Sequence, residues 1–205
     1  MSAVHDRLAR LFREGHASGD IALLSDDRFA DAGRSAEAAV LIAVTDRPDS
    51  DGGPGVILTR RPATMRDHPG QVAFPGGKCD PGEDALAAAL REGWEELALD
   101  PGAVRVIGTT DRYLTGTGFA ITPVLGVIPP DLPLVPHARE VESWFEAPLA
   151  LLMDERNWTR RSVIWKGAER NFYEMDYRGY RIWGVTAAIC ANLSRRLGWV
   201  ASGAG

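Results

Sequence analysis

Gly76–Leu99 reads GGKCDPGEDALAAALREGWEELAL: a glycine pair, a turn, and a helix that ends in a crowd of carboxylates. Glu92, Glu95 and Glu96 stand at i, i+3 and i+4, so their side chains share roughly one third of the helix circumference. Like charges at that spacing repel, and near a helix C-terminus the macrodipole also disfavours anions. By spacing, Arg91 is expected to neutralise one of them. Taken alone, the three glutamates admit two readings: a solvated acidic face, or hard oxygen ligands for a divalent cation.

The residues ahead of them bear on that choice. Asp80, Pro81 and Glu83 fit the N-cap, N1 and N3 positions of a helix over 81–98, with proline where its missing N–H costs nothing. Leu86, Leu90, Leu97 and the intervening alanines form a stripe at helical spacing. The expectation is a helix pinned at its start, buried on one side and acidic on the other. Gly93 costs the helix about 0.5–1 kcal/mol relative to alanine and leaves room for another segment to pack closely. With Ala98 after the helix, no positive φ is expected at that position.

Just upstream, residues 57–77 read ILTRRPATMRDHPGQVAFPGG. Arg60, Arg61, Arg66 and Lys78 gather cations there, although the chain's net charge is −5. Arginine's planar fork grips phosphate oxygens in pairs, so this segment suits a phosphorylated ligand as well as an ordinary solvated loop. His68 and Gln71 are also within possible reach of such a ligand.

The 205 residues, 45% hydrophobic and 25% charged, suit a single soluble domain with a substantial core. The longest apolar run, Ala38 to Val44, is far below the ~18 residues needed to span a bilayer. MSAVHDRLARLFREG mixes charge into an amphipathic helix and is no signal region, so a cytoplasmic location is expected. Cys79 and Cys190 form no CxxC pattern and read as reduced thiols, and no nucleophilic role is expected for Cys79. The acidic balance argues against a nucleic-acid partner.

Periodicity gives an α+β pattern. A first helix carries Val4, Leu8, Leu11 and Phe12, followed by a polar stretch to about residue 35. Strands are expected at 38–45, 55–61, 71–75, 103–109 and 119–128. The Pro129–Pro136 connection precedes a segment at 140–147 and a short helix at 148–153. A β-meander over 160–183, turning at Arg178–Gly179, leads to a final helix at 185–197. The first helix can pack on its own domain or on a second copy of the chain, as in a homodimer.

The spacing of Gly77, Glu83, Arg91, Glu92, Glu95, Glu96 and Leu99 resembles the Nudix hydrolase signature, G-x5-E-x7-R-E-U-x-E-E-x-G-U, with U aliphatic. Gly93 and Ala98 depart from it, and neither removes a carboxylate. Leu58, Thr59, Arg61, Arg66, Gly70, Phe74, Pro75, Gly76 and Gly77 resemble the upstream pattern of the coenzyme A pyrophosphatase branch, with Pro62 in place of its serine. The runs 115–126 and 180–189 and the Glu140–Val141 pair extend the likeness over about 36–198, leaving 1–35 as an N-terminal helix with its connection and 199–205 as a tail.

The resemblance implies an α/β/α sandwich with a mixed central sheet and metal-dependent hydrolysis of a diphosphate. It implies Glu92, Glu95 and Glu96 as ligands of Mg²⁺, with Mn²⁺ as the alternative. Arg91 orients the carboxylates, Glu92 is a further ligand or base, and Glu140, ahead of Glu142, is the candidate base outside the motif. Arg61, Arg66, Gly76 and Gly77 are the expected substrate-binding residues. Coenzyme A or its acyl derivative is the implied substrate. Another nucleoside diphosphate derivative such as ADP-ribose, or a non-catalytic nucleotide-binding module on the same fold, are the alternatives.

Overall fold

The structure, a computed structural model, describes residues 2–26, 35–65, 68–165 and 168–199. Its first half contains α1 (Ala3–Ala17), β1 (Ala36–Thr45), β2 (Gly55–Arg60), β3 (Val72–Ala73), β4 (Gly76–Lys78) and α2 (Ala85–Leu97). The second half contains β5 (Arg105–Thr109), β6 (Tyr113–Leu114), β7 (Phe119–Ile128), β8 (Ser143–Pro148), α3 (Leu149–Met153), β9 (Thr159–Trp165), β10 (Ala168–Tyr177), β11 (Tyr180–Trp183) and α4 (Val185–Arg196).

The apolar run in β1 makes it the central strand. Ala39, Leu41 and Ala43 point to one face and Ile42 and Val44 to the other, and all five are at most 1% exposed. Apolar residues on both faces mark a strand covered on both sides. β7 runs parallel to β1 through ten pairs, from Ala36–Phe119 to Thr45–Ile128. Every other pairing in this eight-stranded sheet is antiparallel, with β2 and β4 on the free edge of β1 and β5 and β6 on that of β7. β3 and β8 extend the sheet from β2.

Helices cover both faces, giving an α/β/α sandwich with a mixed sheet. On one side α2 packs Ala88, Ala89 and Leu97 against Ala39, Leu41 and Ala43. On the other, Leu8 of α1 and Ile189 and Leu193 of α4 join Ile42, Val44 and Leu125 in a second core cluster. The amphipathic first helix therefore packs on its own chain. Asn192 of α4 fastens the segment behind that helix, accepting from Leu24 N at 2.7 Å and donating to Leu24 O at 2.8 Å. β9, β10 and β11 form a separate antiparallel sheet, turning at Arg178–Gly179 with φ of 53° and 83°. Two successive positive φ values match the twist of a two-residue hairpin. Cys79 and Cys190 are free thiols, and among the described residues no helix is long and apolar enough to cross a membrane.

Several details differ from the sequence expectations. The expected strand at 71–75 is split: Pro75 has no N–H to donate to a ladder. Gly76–Lys78 instead pair with Val40–Ala38 as β4. The motif helix starts at Ala85, not 81, because Gly82 takes φ +85° and holds residues 80–83 in a turn. Asp84 is the N-cap, accepting from Ala87 N at 2.8 Å. Leu86 is 36% exposed, and the buried stripe consists of Ala88, Ala89, Gly93 and Leu97 together with Glu92 and Glu96. Two of the three glutamates thus lie on the buried face. Small residues bring this helix close to β1: a Cβ on Gly93 would lie 3.2 Å from Leu41 Cδ2.

Ala98 ends the helix in the left-handed region, φ 53° and ψ 30°, contrary to the expectation drawn from its lack of glycine. Its N–H still satisfies the Trp94 carbonyl at 2.8 Å, so the alanine bears the strain that glycine would avoid. Ala98→Gly is expected to stabilise the fold by about 0.5–1 kcal/mol, the relieved strain outweighing the extra freedom of the unfolded chain. Denaturant titration checks this, and an unchanged or lower midpoint contradicts it.

Candidate active site

The site is built from the buried side of α2, the glycine turn at β4 and the connection that follows β7. Glu92, Glu96 and Glu140 each place a carboxylate oxygen within 4.8 Å of the other two. Glu96 is 4% exposed, the Glu92 side chain 12%, and that of Glu140 46%, so the cluster is closed at its base and open at Glu140. Glu95 is turned away to Arg91 Nη1 at 2.9 Å and is half exposed.

Glu140 arrives by a specific route. The last carbonyls of a helix need outside donors, and those of Glu96 and Leu97 receive the N–H groups of His137 and Val135, both at 2.8 Å. The proline-rich connection is thereby stitched to the end of α2. A turn in which Glu140 N and Val141 N both donate to His137 O at 2.9 Å then delivers Glu140 to the cluster. Glu142 leads away, its N–H on Arg60 O at 2.8 Å and its carboxylate 3.4 Å from Arg60 Nε.

Arg91 reaches two of the three crowded glutamates, Glu92 and Glu95, where spacing suggested one, and Glu83 besides. Its Nε and Nη2 bond the two oxygens of Glu83 at 3.0 Å each, while Nη1 bonds Glu92 Oε1 and Glu95 Oε2 at 2.9 Å. Nη2 also donates to Lys78 O at 3.0 Å, tying the helix to β4. The bidentate arginine holds the Glu83 carboxyl below the usual range, helped by the Asp80 N–H. Glu83 therefore pins the turn and Arg91 together instead of boxing the helix start.

Gly76 and Gly77 let the backbone approach this assembly. A Cβ on Gly77 would sit 2.6 Å from Glu92 Cδ, and one on Gly76 2.7 Å from Val40 Cα. The Gly76 backbone also draws the Glu96 carboxyl downward.

Burial raises the Glu92 carboxyl above its ordinary value, against the pull of Arg91. Glu96 is pushed up to about 8, first by burial and then by the charges of Glu92 and Glu140, with the Arg61 charge and the Gly76 backbone opposing. Glu96 Oε2 is buried and has no hydrogen-bond partner among the described residues. A buried, unpartnered carboxylate oxygen beside two more carboxylates fits a hard divalent cation, which would supply the missing partner and neutralise the crowding.

Among the expected substrate residues, Gly76 and Gly77 border the cluster, the charge of Arg61 acts on Glu96, and Arg66 lies outside the described residues. Lys78 places its ammonium 5.5 Å from the centre of the Phe119 ring, and His68 is exposed. Burial pushes the Cys79 thiol upward, away from the thiolate a nucleophile needs.

The chain is similar to known proteins. Residues 36–165 match the model of the NUDIX domain. A protein of Cronobacter sakazakii named uncharacterized Nudix hydrolase NudL is 44% identical over 163 residues, spanning 79% of this chain and 83% of that protein. The Escherichia coli K12 protein of the same name is 42% identical over the same shares. The crystal structure of a Nudix hydrolase from M. smegmatis, RenU, overlays with a TM-score of 0.49 at 25% identity, covering 65% of this chain and 82% of that one.

Proposed function

This chain belongs to the Nudix hydrolase family, and on that premise we propose that it hydrolyses the diphosphate bond of coenzyme A or acyl-CoA. The products are adenosine 3′,5′-bisphosphate and 4′-phosphopantetheine or its acyl form. The observation that carries the hydrolytic reading is the closed carboxylate cluster of Glu92, Glu96 and Glu140, seated against the Gly76–Gly77 turn. The choice of coenzyme A rests on the 57–77 segment, whose Gly77 end lies against Glu92 and whose Arg61 charge acts on Glu96.

Glu92, Glu96 and Glu140 would hold the divalent cation, Mg²⁺ or Mn²⁺, while Glu95 stays on Arg91. When bound, the cation neutralises charge on the diphosphate oxygens and acidifies water. Arg91 keeps Glu92 and Glu95 oriented. Glu140, the most exposed of the cluster, would take the proton of the attacking water on the oxygen it does not give to the cation. The water oxygen bonds to one phosphorus and the bridging P–O bond breaks, leaving two phosphate monoesters. Arg61 and Arg66 grip the non-bridging oxygens and hold the phosphorus in line.

Comparing kcat/KM for coenzyme A, acetyl-CoA and ADP-ribose at saturating Mg²⁺ tests the substrate. A CoA-type substrate is expected to lead by at least about tenfold, the discrimination of one good polar contact. Turnover of ADP-ribose beside inert coenzyme A assigns the site to another nucleoside diphosphate. Ligand-induced thermal stabilisation with no product from any of the three marks a binding module.

A further inference from the structure

β9 is an outer strand of the second sheet, paired with β10 alone. Among the described residues, no backbone group of residues 160–164 bonds anything beyond that pairing, so a row of N–H and C=O groups stays open to a further strand. The usual guards of such an edge, a proline, a lysine or a bulge, are missing from Thr159–Trp165, whose register with β10 runs unbroken from Glu174 to Ala168. Two β-branched side chains stand there instead, Ile164 at 79% exposure and Val163 at 49%. Arg161 leaves the edge clear, since its Nε turns across β10 to Glu174 Oε1 at 2.8 Å. The first helix is spent on its own core. An open antiparallel edge, by contrast, is complementary to a second copy of itself.

We propose that β9 is the interface of a homodimer, two copies of the strand pairing antiparallel about a two-fold axis at Ser162. Side chains directly opposite one another share a face of the sheet, so the axis must pass through a residue. An axis at Arg160 or Arg161 sets like charges opposite each other, and one at Val163 or Ile164 runs Thr159 and Arg160 past the end of the partner's strand. At Ser162 all seven residues pair. Arg160 then lies opposite the partner's Ile164 and covers it with its aliphatic stem, the guanidinium directed along the same row toward the partner's Glu169. Arg161 lies opposite the partner's Val163, and the two three-stranded sheets become one of six strands. The dimer depends neither on the hydrolase reading nor on the choice of coenzyme A.

Sedimentation of the full chain at about 1–100 μM tests it, the range in which a one-strand interface is expected to associate. Wild type is expected to dimerise. Ile164→Arg sets a second cation against the partner's Arg160, a clash that occurs twice by symmetry, and is expected to weaken the dimer at least about fivefold. Ile164→Glu meets the same arginine with opposite charge and is expected to keep the dimer or tighten it. Ser162→Cys is expected to crosslink under oxidising conditions, because opposed residues stand about 4.5–5.5 Å apart at Cα, within disulfide range. Arg160→Cys is expected not to, its two copies lying about 13 Å apart along the strands. Wild type that stays monomeric throughout overturns the proposal and leaves the edge to a strand of a different protein. A dimer that Ile164→Arg leaves intact, that Ile164→Glu weakens equally, or in which Ser162→Cys fails to crosslink overturns it as well. If melting shows Ile164→Arg to be unfolded, the two cysteine variants decide, with wild type as the control for Cys79 and Cys190.

Discussion

Glu96→Gln stabilises the metal-free protein at pH 8 while removing its turnover. The Glu96 carboxyl, pushed up to about 8 from the ordinary 4.5, holds its proton more tightly folded than unfolded. Between those values the native state binds more protons, so stability falls as pH rises; it is fullest below about 4.5 and lost progressively toward pH 8. Ionising so buried a group costs about 2–4 kcal/mol, and glutamine, which never ionises, avoids that loss. The variant is therefore expected to melt about 5 °C or more above wild type at pH 8 and alongside it at pH 5. Mg²⁺ raises the wild-type midpoint at pH 8 by relieving the same penalty and leaves the variant nearly unmoved. Turnover falls by at least ~10²-fold, since even partners behind a ligand are worth 10–100-fold. Equal midpoints at both pH values, or wild-type turnover in the variant, contradict the role given to Glu96.

The two adjacent glycines separate catalysis from folding. A methyl on Gly77 would meet the end of Glu92, with Cδ at 2.6 Å and Oε2 at 2.8 Å. That carboxylate can swing aside, at the cost of its bond to Arg91 Nη1 and its place in the cluster. A displacement of about 1 Å at a reacting centre costs on the order of 10²-fold in rate. Gly77→Ala is thus expected to lose about 10²-fold in kcat with a melting temperature close to wild type. A methyl on Gly76 would instead meet the Val40 Cα at 2.7 Å, backbone of the central strand, which cannot swing. Gly76→Ala is expected to cost about 1–3 kcal/mol or more in stability, as overpacking does. Parallel measurement of kcat and melting for both variants checks the contrast; full activity in Gly77→Ala or a wild-type midpoint in Gly76→Ala breaks it.

The elements that were legible in the sequence are those whose pattern repeats over many residues. The strand at 119–128 and the helices near the two ends fall where periodicity put them, within a residue or two. Short and competing signals were harder. Pro81 after Asp80 imitates a helix start, and only the positive φ of Gly82 defers it to Asp84. The burial of Glu92 and Glu96 was hidden because carboxylates on an amphipathic helix are ordinarily assigned to solvent. Here they share the stripe of Ala88, Ala89 and Gly93, and small neighbours let the helix sink toward β1. Spacing put Glu95 beside Glu92 and Glu96, but the fork of Arg91 draws it aside. Glu140 enters the cluster through bonds from the 135–141 connection to the end of α2, a long-range docking that no local pattern encodes.

The most direct measurement is product analysis. Purified protein is incubated with coenzyme A, with and without Mg²⁺, and the mixture is resolved by mass spectrometry. Adenosine 3′,5′-bisphosphate and 4′-phosphopantetheine in equal amounts, appearing only with the cation, is the predicted result. Intact coenzyme A under both conditions, or equal cleavage in the presence of a chelator, would contradict a cation-dependent CoA diphosphatase built on Glu92, Glu96 and Glu140.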